Sequence, residues 1–188
     1  MHSLKPLTPL GGTTPRRDEY PGLILMENPD WAMASVAARA GSVKKLASAF
    51  TTFAQGKLAA VESIDNSGKI TNFWTAPDQW MVMAPFASHE SLAADLKAAL
   101  GNTASVVEQT DGWCRFDLSG AHAVNTLERL SAANSRRMQA NRVCRTQIDH
   151  LGCFMLCHKA GQDFSILGPR SAAASLHHAL TTAAISIA

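Results

Sequence analysis

Residues Asp78–Pro85 read DQWMVMAP, and residues Gln162–Pro169 read QDFSILGP. Each stretch is a short apolar run that ends at a proline, a residue that cannot continue the hydrogen-bond ladder of a central strand. Leucines follow both prolines at matching distances, namely Leu92 and Leu96 in the first copy and Leu176 and Leu180 in the second. We therefore predict two copies of one unit, a hairpin strand followed by an amphipathic helix, which cannot bury its apolar face alone.

Strand-like runs on either side of short turn signals extend each copy into a hairpin. The run Trp31–Ala40 is apolar throughout and favours a further strand, with a helical piece as the alternative. A turn at Thr110-Asp111-Gly112 indicates one more hairpin. The three predicted hairpins join residues 70–75 to 79–84, 106–107 to 113–118, and 150–157 to 164–167.

Four segments repeat apolar residues at the 3.6-residue period of an amphipathic helix. The first begins at Ser42, a favourable N-cap residue, and the second stops at Gly101-Asn102. Hairpins alternating with helices predict an α+β fold with antiparallel sheets on one side and helices packed on the other. The predicted helices cover residues 42–54, 88–100, 119–130 and 171–183.

The composition divides the chain into a leader and a folded part. Residues 1–21 are rich in Pro, Gly and Thr and have little to bury, which predicts an extended N-terminal leader, mobile in a monomer or laid along a partner. We expect residues 22–188 to form a single α+β domain.

Charge and hydropathy exclude several classes of protein. The 188 residues carry a formal net charge of +2, and 17% of them are charged. Nucleic acid and anionic membranes are recognised by strongly basic surfaces, so neither is an expected partner. No run approaches the roughly 20 apolar residues of a membrane span, and the N-terminus has no apolar signal segment. We therefore expect a cytoplasmic protein whose four cysteines are free thiols.

A search for catalytic and metal-binding motifs returns little. The dinucleotide, phosphate-loop, nucleophile-elbow and zinc-protease signatures are absent. Cysteine and histidine cluster near the end of the chain, but on a strand Cys153 and Cys157 would stand about 13 Å apart, too far for one zinc ion. We predict that these cysteines, like Cys114, pack in the core rather than act as ligands or nucleophiles. The metal candidates considered were Cys144, His150, Cys153, Cys157 and His158.

The remaining polar and aromatic residues have ordinary structural interpretations. Asp111 and Asp149 are the only loose candidates for a carboxylate that binds a pterin, and Asp111-Gly112 reads first as a turn. Trp113 shares a strand face with Arg115 and Asp117, so it should be half-exposed and available to a partner. The other residues weighed were His89, His122, His177, His178, Trp31, Trp74, Trp80, Arg136, Arg137 and Arg142.

Four short motifs follow one another along the chain, namely Trp74–Val82 (WTAPDQWMV), Ser105–Gly112 (SVVEQTDG), Phe116–Gly120 (FDLSG) and Gly168–Ser171 (GPRS). Taken in order, they resemble the gamma subunit of heterotetrameric sarcosine oxidase. The resemblance runs from about Leu23 to the C-terminus, and its specificity comes from the order and spacing of the motifs. The chain departs from the family at residues 131–135, and Cys153 and Cys157 replace aliphatic residues.

This resemblance implies a function that the residues alone do not. It implies a subunit, with no cofactor of its own, of an alpha-beta-gamma-delta enzyme that demethylates sarcosine to glycine with tetrahydrofolate as one-carbon acceptor. FAD, FMN, NAD, tetrahydrofolate and zinc would lie in the alpha, beta and delta subunits. The fold would resemble the folate-binding domain of aminomethyltransferase.

We thus predict no catalytic, cofactor-binding or metal-binding residue in this chain. The alternatives are a free-standing folate-binding protein of the aminomethyltransferase type and an unrelated scaffold or assembly factor.

Overall fold

The computed structural model describes residues 6–187 and divides the chain into two compact units. One unit, Asp30–Asp111, contains a five-stranded sheet, and the other, made of the residues up to Pro29 and those from Gly112 onward, contains a six-stranded sheet. We call them the five-stranded unit and the six-stranded unit.

The strands are β1 Arg17–Tyr20, β2 Leu23–Glu27, β3 Trp31–Ala38, β4 Ile64–Asp65, β5 Thr71–Ala76, β6 Gln79–Pro85, β7 Ala104–Glu108, β8 Trp113–Ser119, β9 Arg142–Ile148, β10 Leu151–Lys159 and β11 Asp163–Pro169. The helices are α1 Val43–Ala54, α2 Phe86–His89, α3 Leu92–Leu100, α4 Ala123–Leu130 and α5 Ala173–Ile185. Short 3₁₀ turns lie at Gly101–Thr103, Ser135–Arg137 and Arg170–Ala172.

Both sheets are antiparallel and follow one plan. The strand order is β4-β5-β6-β3-β7 in the five-stranded sheet and β9-β10-β11-β8-β2-β1 in the six-stranded sheet. In each, a hairpin (β5–β6 or β10–β11) lies beside the strand that starts the copy (β3 or β8). One helix follows that first strand, and a second follows the hairpin. The predicted α+β fold with duplicated hairpin–helix units is confirmed.

Residues at corresponding positions of the two repeated stretches are buried in the two cores. In the five-stranded unit, Trp80 and Val82 of β6 pack with Leu92 and Leu96 of α3. The six-stranded unit buries the corresponding residues in its own core, namely Phe164 and Ile166 of β11 with Leu176 and Leu180 of α5. Every one of these side chains is less than a tenth exposed, so each unit buries the apolar face of its own helices.

The predicted hairpin of residues 106–107 with 113–118 is wrong. β7 pairs with β3 in the five-stranded sheet, whereas β8 pairs with β2 and β11 in the six-stranded sheet. Asp111-Gly112 is the point at which the chain leaves one unit for the other, and not a hairpin turn. β7 and β8 each pair with strands of their own sheet and not with one another. These partners lie far away in the sequence, so the local turn signal at residues 110–112 could not reveal them.

Two predicted helix starts also need correction. The helix expected from Ser88 is divided into α2, which begins at Phe86 directly after β6, and α3, which begins at Leu92 after a turn at residues 90–91. The helix expected from Ser119 begins at Ala123, since β8 continues through Ser119. Gly120 then turns the chain with φ of 131°, and a Cβ there would stand 2.3 Å from the carbonyl oxygen of Gly22, so only glycine fits.

The segment before β1 packs against the six-stranded unit. The buried Glu27 carboxylate accepts hydrogen bonds from the backbone N–H groups of Leu10 (2.8 Å) and Arg16 (3.0 Å). The Arg170 guanidinium donates to the carbonyl oxygen of Leu7 at 2.9 Å. The predicted leader, residues 1–21, thus ends in a strand of the sheet; its first five residues lie outside the described residues. Among helices in residues 6–187, none has the length and apolar composition needed to cross a bilayer.

Candidate functional site

A polar network lies on the far face of the six-stranded sheet, which we define as the face turned away from α4 and α5. Strand alternation in β8 sends Cys114, Phe116 and Leu118 into the helix-covered core and leaves Arg115 and Asp117 on the far face. This is the alternation that the sequence predicts.

The network is centred on the Asp117 carboxylate. One carboxylate oxygen accepts from the Arg115 Nε at 2.7 Å and from the Ser165 hydroxyl at 2.5 Å, and the other accepts from the Asn28 side-chain amide at 2.6 Å. Ser165 in turn lies 2.7 Å from His158 Nε2. We call these five residues the polar network. Arg115 and Ser165 are buried, so the ion pair and its hydrogen bonds are shielded in part from water.

His158 reaches Ser165 because β10 carries a bulge. The pairing of β10 with β11 shifts register between Cys157 and Lys159, which leaves His158 as the extra residue and re-aims its side chain. The Ser165 hydroxyl donates its hydrogen to Asp117, so the bond between His158 and Ser165 requires a hydrogen on Nε2. Loss of solvent around the ring, and then the nearby Arg115 charge, lower the pKa of His158 below its ordinary 6.5. His158 is therefore neutral at pH 7, with Nδ1 as acceptor.

Beside the polar network, the far face carries an aromatic pair. The rings of Trp113 and Phe154 are 5.3 Å apart between centroids, and the Arg145 guanidinium lies 6.0 Å from the Phe154 centroid. Trp113 is half-buried, as predicted for its position on the face of Arg115 and Asp117. Such arrangements of tryptophan and arginine are common where proteins meet.

The cysteines face the other way. Cys114, Cys153 and Cys157 are buried in the helix-covered core, which confirms the core-packing prediction, and Cys144 packs beside them. Burial raises the pKa of Cys114 to about 11 and that of Cys153 to about 12, so both remain thiols at neutral pH. A thiol, unlike a thiolate, is a poor nucleophile and metal ligand.

His158 lies on the opposite face of β10 from Cys153 and Cys157, so the sheet itself separates the proposed ligands of a zinc site. Within the part of the chain that the structure describes, no three His, Cys, Asp or Glu side chains come together as a metal site would require.

Asp149 and His150 form the two-residue turn between β9 and β10. Both have positive φ, 46° and 68°, as a tight hairpin turn requires. They line an open groove of about 400 Å³ whose other walls are Leu130, Ala132, Thr146 and Gln147. Asp111, the other carboxylate candidate, belongs to the five-stranded unit and lines no part of this groove.

The other histidines are spread over separate elements. His177 Nε2 donates to the Asp18 carboxylate at 2.7 Å and ties α5 to β1, whereas its neighbour His178 is exposed. His89 contacts the Ser88 hydroxyl at 2.9 Å. The ring of His122 packs on Gly22, and its Nδ1 is buried with no partner within residues 6–187.

The arginines of the loop after α4 and the other tryptophans lie apart from the polar network. Arg136 pairs with Glu128 at 2.6 Å, and Arg137 and Arg142 are exposed. Trp80 is buried in the core of the five-stranded unit, where its indole N–H donates to the carbonyl oxygen of Ala59 at 2.8 Å. Trp31 and Trp74 are half-buried.

Sequence reasoning missed Asn28, His158 and Ser165 as partners of Asp117. A signal for Ser165 exists, since this single hydroxyl interrupts an apolar strand at the place where the first copy has Met81. His158 could not be found in this way because the bulge that re-aims it leaves no mark in the pattern of apolar residues.

One chain of the heterotetrameric sarcosine oxidase from Corynebacterium sp. U-96, solved with pyrrole 2-carboxylate, superposes with a TM-score of 0.75 and 21% identity, over 87% of this chain and 84% of that chain. This chain has that fold. Aminomethyltransferase T of the glycine cleavage system from Bartonella henselae superposes with a TM-score of 0.59 and 15% identity, over 83% of this chain.

The superposition covers 44% of the aminomethyltransferase chain, so this chain spans less than half of that protein. No protein-family model and no curated protein sequence matches the chain. The two structural likenesses bear out, at the level of fold, the resemblance that the sequence motifs predict.

Proposed function

We propose that this chain is the non-catalytic gamma-type subunit of a cytoplasmic, heterotetrameric sarcosine-oxidase-like complex. Partner subunits of the alpha, beta and delta type would carry FAD, FMN, NAD, tetrahydrofolate and zinc. The complex would demethylate sarcosine to glycine and pass the one-carbon unit to tetrahydrofolate. The observation that carries the proposal is the superposition on a sarcosine oxidase chain, which extends over most of both chains.

The chemistry of the described side chains supports a structural role. The Asp117 carboxylate is occupied by three donors of its own unit, and the pKa values of the Cys114 and Cys153 thiols are raised by burial. A general base or a nucleophile needs an accessible group whose pKa suits its task. The polar network holds β2, β8, β10 and β11 together and leaves no such group at its centre.

The test is co-expression with alpha-, beta- and delta-type subunits, followed by purification through a tag on this chain. We expect a stoichiometric complex that oxidises sarcosine, whereas the isolated chain has no flavin absorbance and no activity. Flavin bound stoichiometrically to the isolated chain would count against the subunit role.

Calorimetry of the isolated chain with tetrahydrofolate tests the alternative, a free-standing folate-binding protein. Micromolar binding that is lost in Asp149→Asn would favour this alternative and place the pterin in the groove at the β9–β10 turn. Asp111→Asn tests the other carboxylate candidate, which lies in the five-stranded unit, and a loss of binding in that variant alone would place the pterin away from the groove. The subunit role predicts no heat of binding for any of the three proteins.

A further inference from the structure

The two sheets differ at one edge. In the six-stranded sheet β2 pairs with β8 on one side and with β1 on the other. Its counterpart in the five-stranded sheet is β7, which pairs with β3. Within residues 6–187, no strand pairs with the other side of β7. The five-stranded sheet therefore ends where the six-stranded sheet has one strand more.

The counterpart relation holds residue by residue. Met81 and Ser165 occupy the same place in the repeated stretches; Ser35 lies opposite Met81, and Asp117 lies opposite Ser165. Continuing across each sheet, Val107 lies opposite Ser35 as Met26 lies opposite Asp117. One residue further on, both strands end in glutamate: Glu108 in β7 and Glu27 in β2.

Equivalent backbone N–H groups of β2 and β7 face the same side of their strands. The N–H of Asn28 donates to Arg115 on β8 at 2.9 Å, and that of Gln109 donates to Met33 on β3 at 2.9 Å. Hydrogen-bonding direction alternates along an antiparallel strand, so the preceding N–H faces outward. In β2 this outward group is the N–H of Glu27, which donates to the carbonyl oxygen of Arg16 at 2.8 Å. In β7 the outward groups are the N–H of Val106 and that of Glu108.

The side chains of Glu27 and Glu108 differ in their burial and in their hydrogen-bond partners. Glu27 is 2% exposed, and its carboxylate fixes the backbone of the segment that leads into β1. Glu108 is exposed, and its carboxylate accepts from backbone and side-chain groups of the adjoining Thr110. Val107 beside it is 55% exposed, although valine is an apolar residue. Open edges of this kind, with unpaired main-chain groups, are templates for a further strand.

We propose that the outer edge of β7 receives an extended segment of a partner subunit, which adds to the five-stranded sheet as a sixth strand antiparallel to β7. The strand would take the place that β1 takes beside β2, a mode of recognition carried by main-chain hydrogen bonds. Residues 104–112 contain Glu108 and Asp111 and no basic residue, so the segment carries a basic side chain beside Glu108. A second copy of this chain fits less well, because two-fold pairing of β7 would bring two acidic tracts together.

This inference rests on the proposed function, which names the partner as a subunit of the complex. The test measures hydrogen exchange of the β7 amides in the isolated chain and in the complex co-expressed with alpha-, beta- and delta-type subunits. We expect the Val106 and Glu108 amides to exchange at least about tenfold more slowly in the complex, since both gain a hydrogen bond.

Two variants test the contact directly. Glu108→Pro removes one outward N–H, whereas Glu108→Gln keeps it and removes only the charge, so the proline should weaken assembly at least about tenfold more than glutamine does. If the proline also lowers the thermal stability of the isolated chain, Val107→Lys replaces it. That variant keeps the hydrogen bonds to β3 and places a positive charge where a basic strand must dock.

A complex that forms without protection of Val106 and Glu108 overturns the edge proposal and leaves the subunit role intact. The same holds for a complex that tolerates Glu108→Pro, or Val107→Lys where it replaces the proline, as well as it tolerates Glu108→Gln. Failure to form any complex overturns both.

Discussion

The two sheets of this chain share one plan, and the difference between them lies in what each does with the same positions. On the face turned away from the helices, the five-stranded sheet places Met33, Ser35 and Met81 where the six-stranded sheet places Arg115, Asp117 and Ser165. The first set consists mainly of flexible apolar side chains, and the second is an ion pair with directed hydrogen bonds.

The hairpins show that the shared plan extends to an irregularity. Both hairpins carry a bulge at the corresponding place, between Trp74 and Ala76 in β5 and between Cys157 and Lys159 in β10. The bulge re-aims Thr75 in one sheet and His158 in the other. Of these two side chains, His158 forms a hydrogen bond with a serine, Ser165. The bulge is thus present in both copies, and in the six-stranded sheet it supports a polar contact.

The largest expected effect tests whether the two cores are equivalent. Leu96 of α3 and Leu180 of α5 are both 0% exposed and hold the same place after their prolines. Leu96→Ala and Leu180→Ala should each reduce the free energy of unfolding by about 2–5 kcal/mol, through lost burial and the cavity left behind. Urea denaturation measures both. A loss in one variant without a comparable loss in the other would show that the copies carry unequal shares of the stability.

The second effect tests the polar network against its apolar counterpart. Asp117→Ala removes the carboxylate that pairs with the buried Arg115 at 2.7 Å and should cost about 2–3 kcal/mol. Ser35→Ala, at the corresponding position, removes two long hydrogen bonds of 3.5 Å, one donated to the carbonyl oxygen of Val107 and one accepted from the Gln109 side-chain amide. Because both bonds are long, the variant should cost less than about 0.5 kcal/mol. Chemical denaturation of both variants gives the comparison. Equal losses would mean that the network contributes nothing beyond packing.

These contrasts mark what the sequence could and could not predict. The repeated stretches ending at Pro85 and Pro169 predict both hairpins and their helices, because apolar periodicity and proline act locally. The alternation in β8 predicts which side chains leave the core. The pairing of β7 with β3 and of β8 with β2 could not be predicted from such signals, since strand partners far apart in sequence are chosen by the whole sheet.

The candidate site divides in the same way. Asp117 and Arg115 can be assigned to the far face from the sequence, because they alternate along β8 with the apolar residues of the core. Asn28 and His158 join them only because β2 lies beside β8 and a bulge turns the histidine. Neither the distant pairing nor the bulge changes the order of apolar and polar residues, and the sequence therefore gives no sign of either.

A third effect sharpens the difference between the two strand-ending glutamates. The Leu10 and Arg16 N–H groups donate to different oxygens of the Glu27 carboxylate, so Glu27→Gln keeps one acceptor and places its buried amide N–H₂ against the other donor. Because hydrogen bonds to charged groups are stronger, the variant should lose about 1.5–2 kcal/mol of unfolding free energy. Glu108→Gln should lose less than about 0.5 kcal/mol in the isolated chain, because that side chain is exposed. Thermal or urea denaturation checks both, and equal losses in the two variants would contradict the difference between the two glutamates.

The smallest effect is a pH dependence that only one sheet should show. Burial and the Arg115 charge lower the pKa of His158 from its ordinary 6.5 in the folded chain, so the unfolded chain takes up the proton first as the pH falls. Stability contributed by neutral His158 is therefore complete above about pH 6.5 and is lost as the pH falls from there through the lower folded-state pKa. His158→Gln keeps a donor for Ser165 and should flatten the stability profile between about pH 7 and 5, whereas His178→Gln, at an exposed position on α5, should leave it unchanged. The five-stranded sheet has Thr75 at the matching bulge and nothing there that titrates, so a slope that survives His158→Gln must come from outside the polar network.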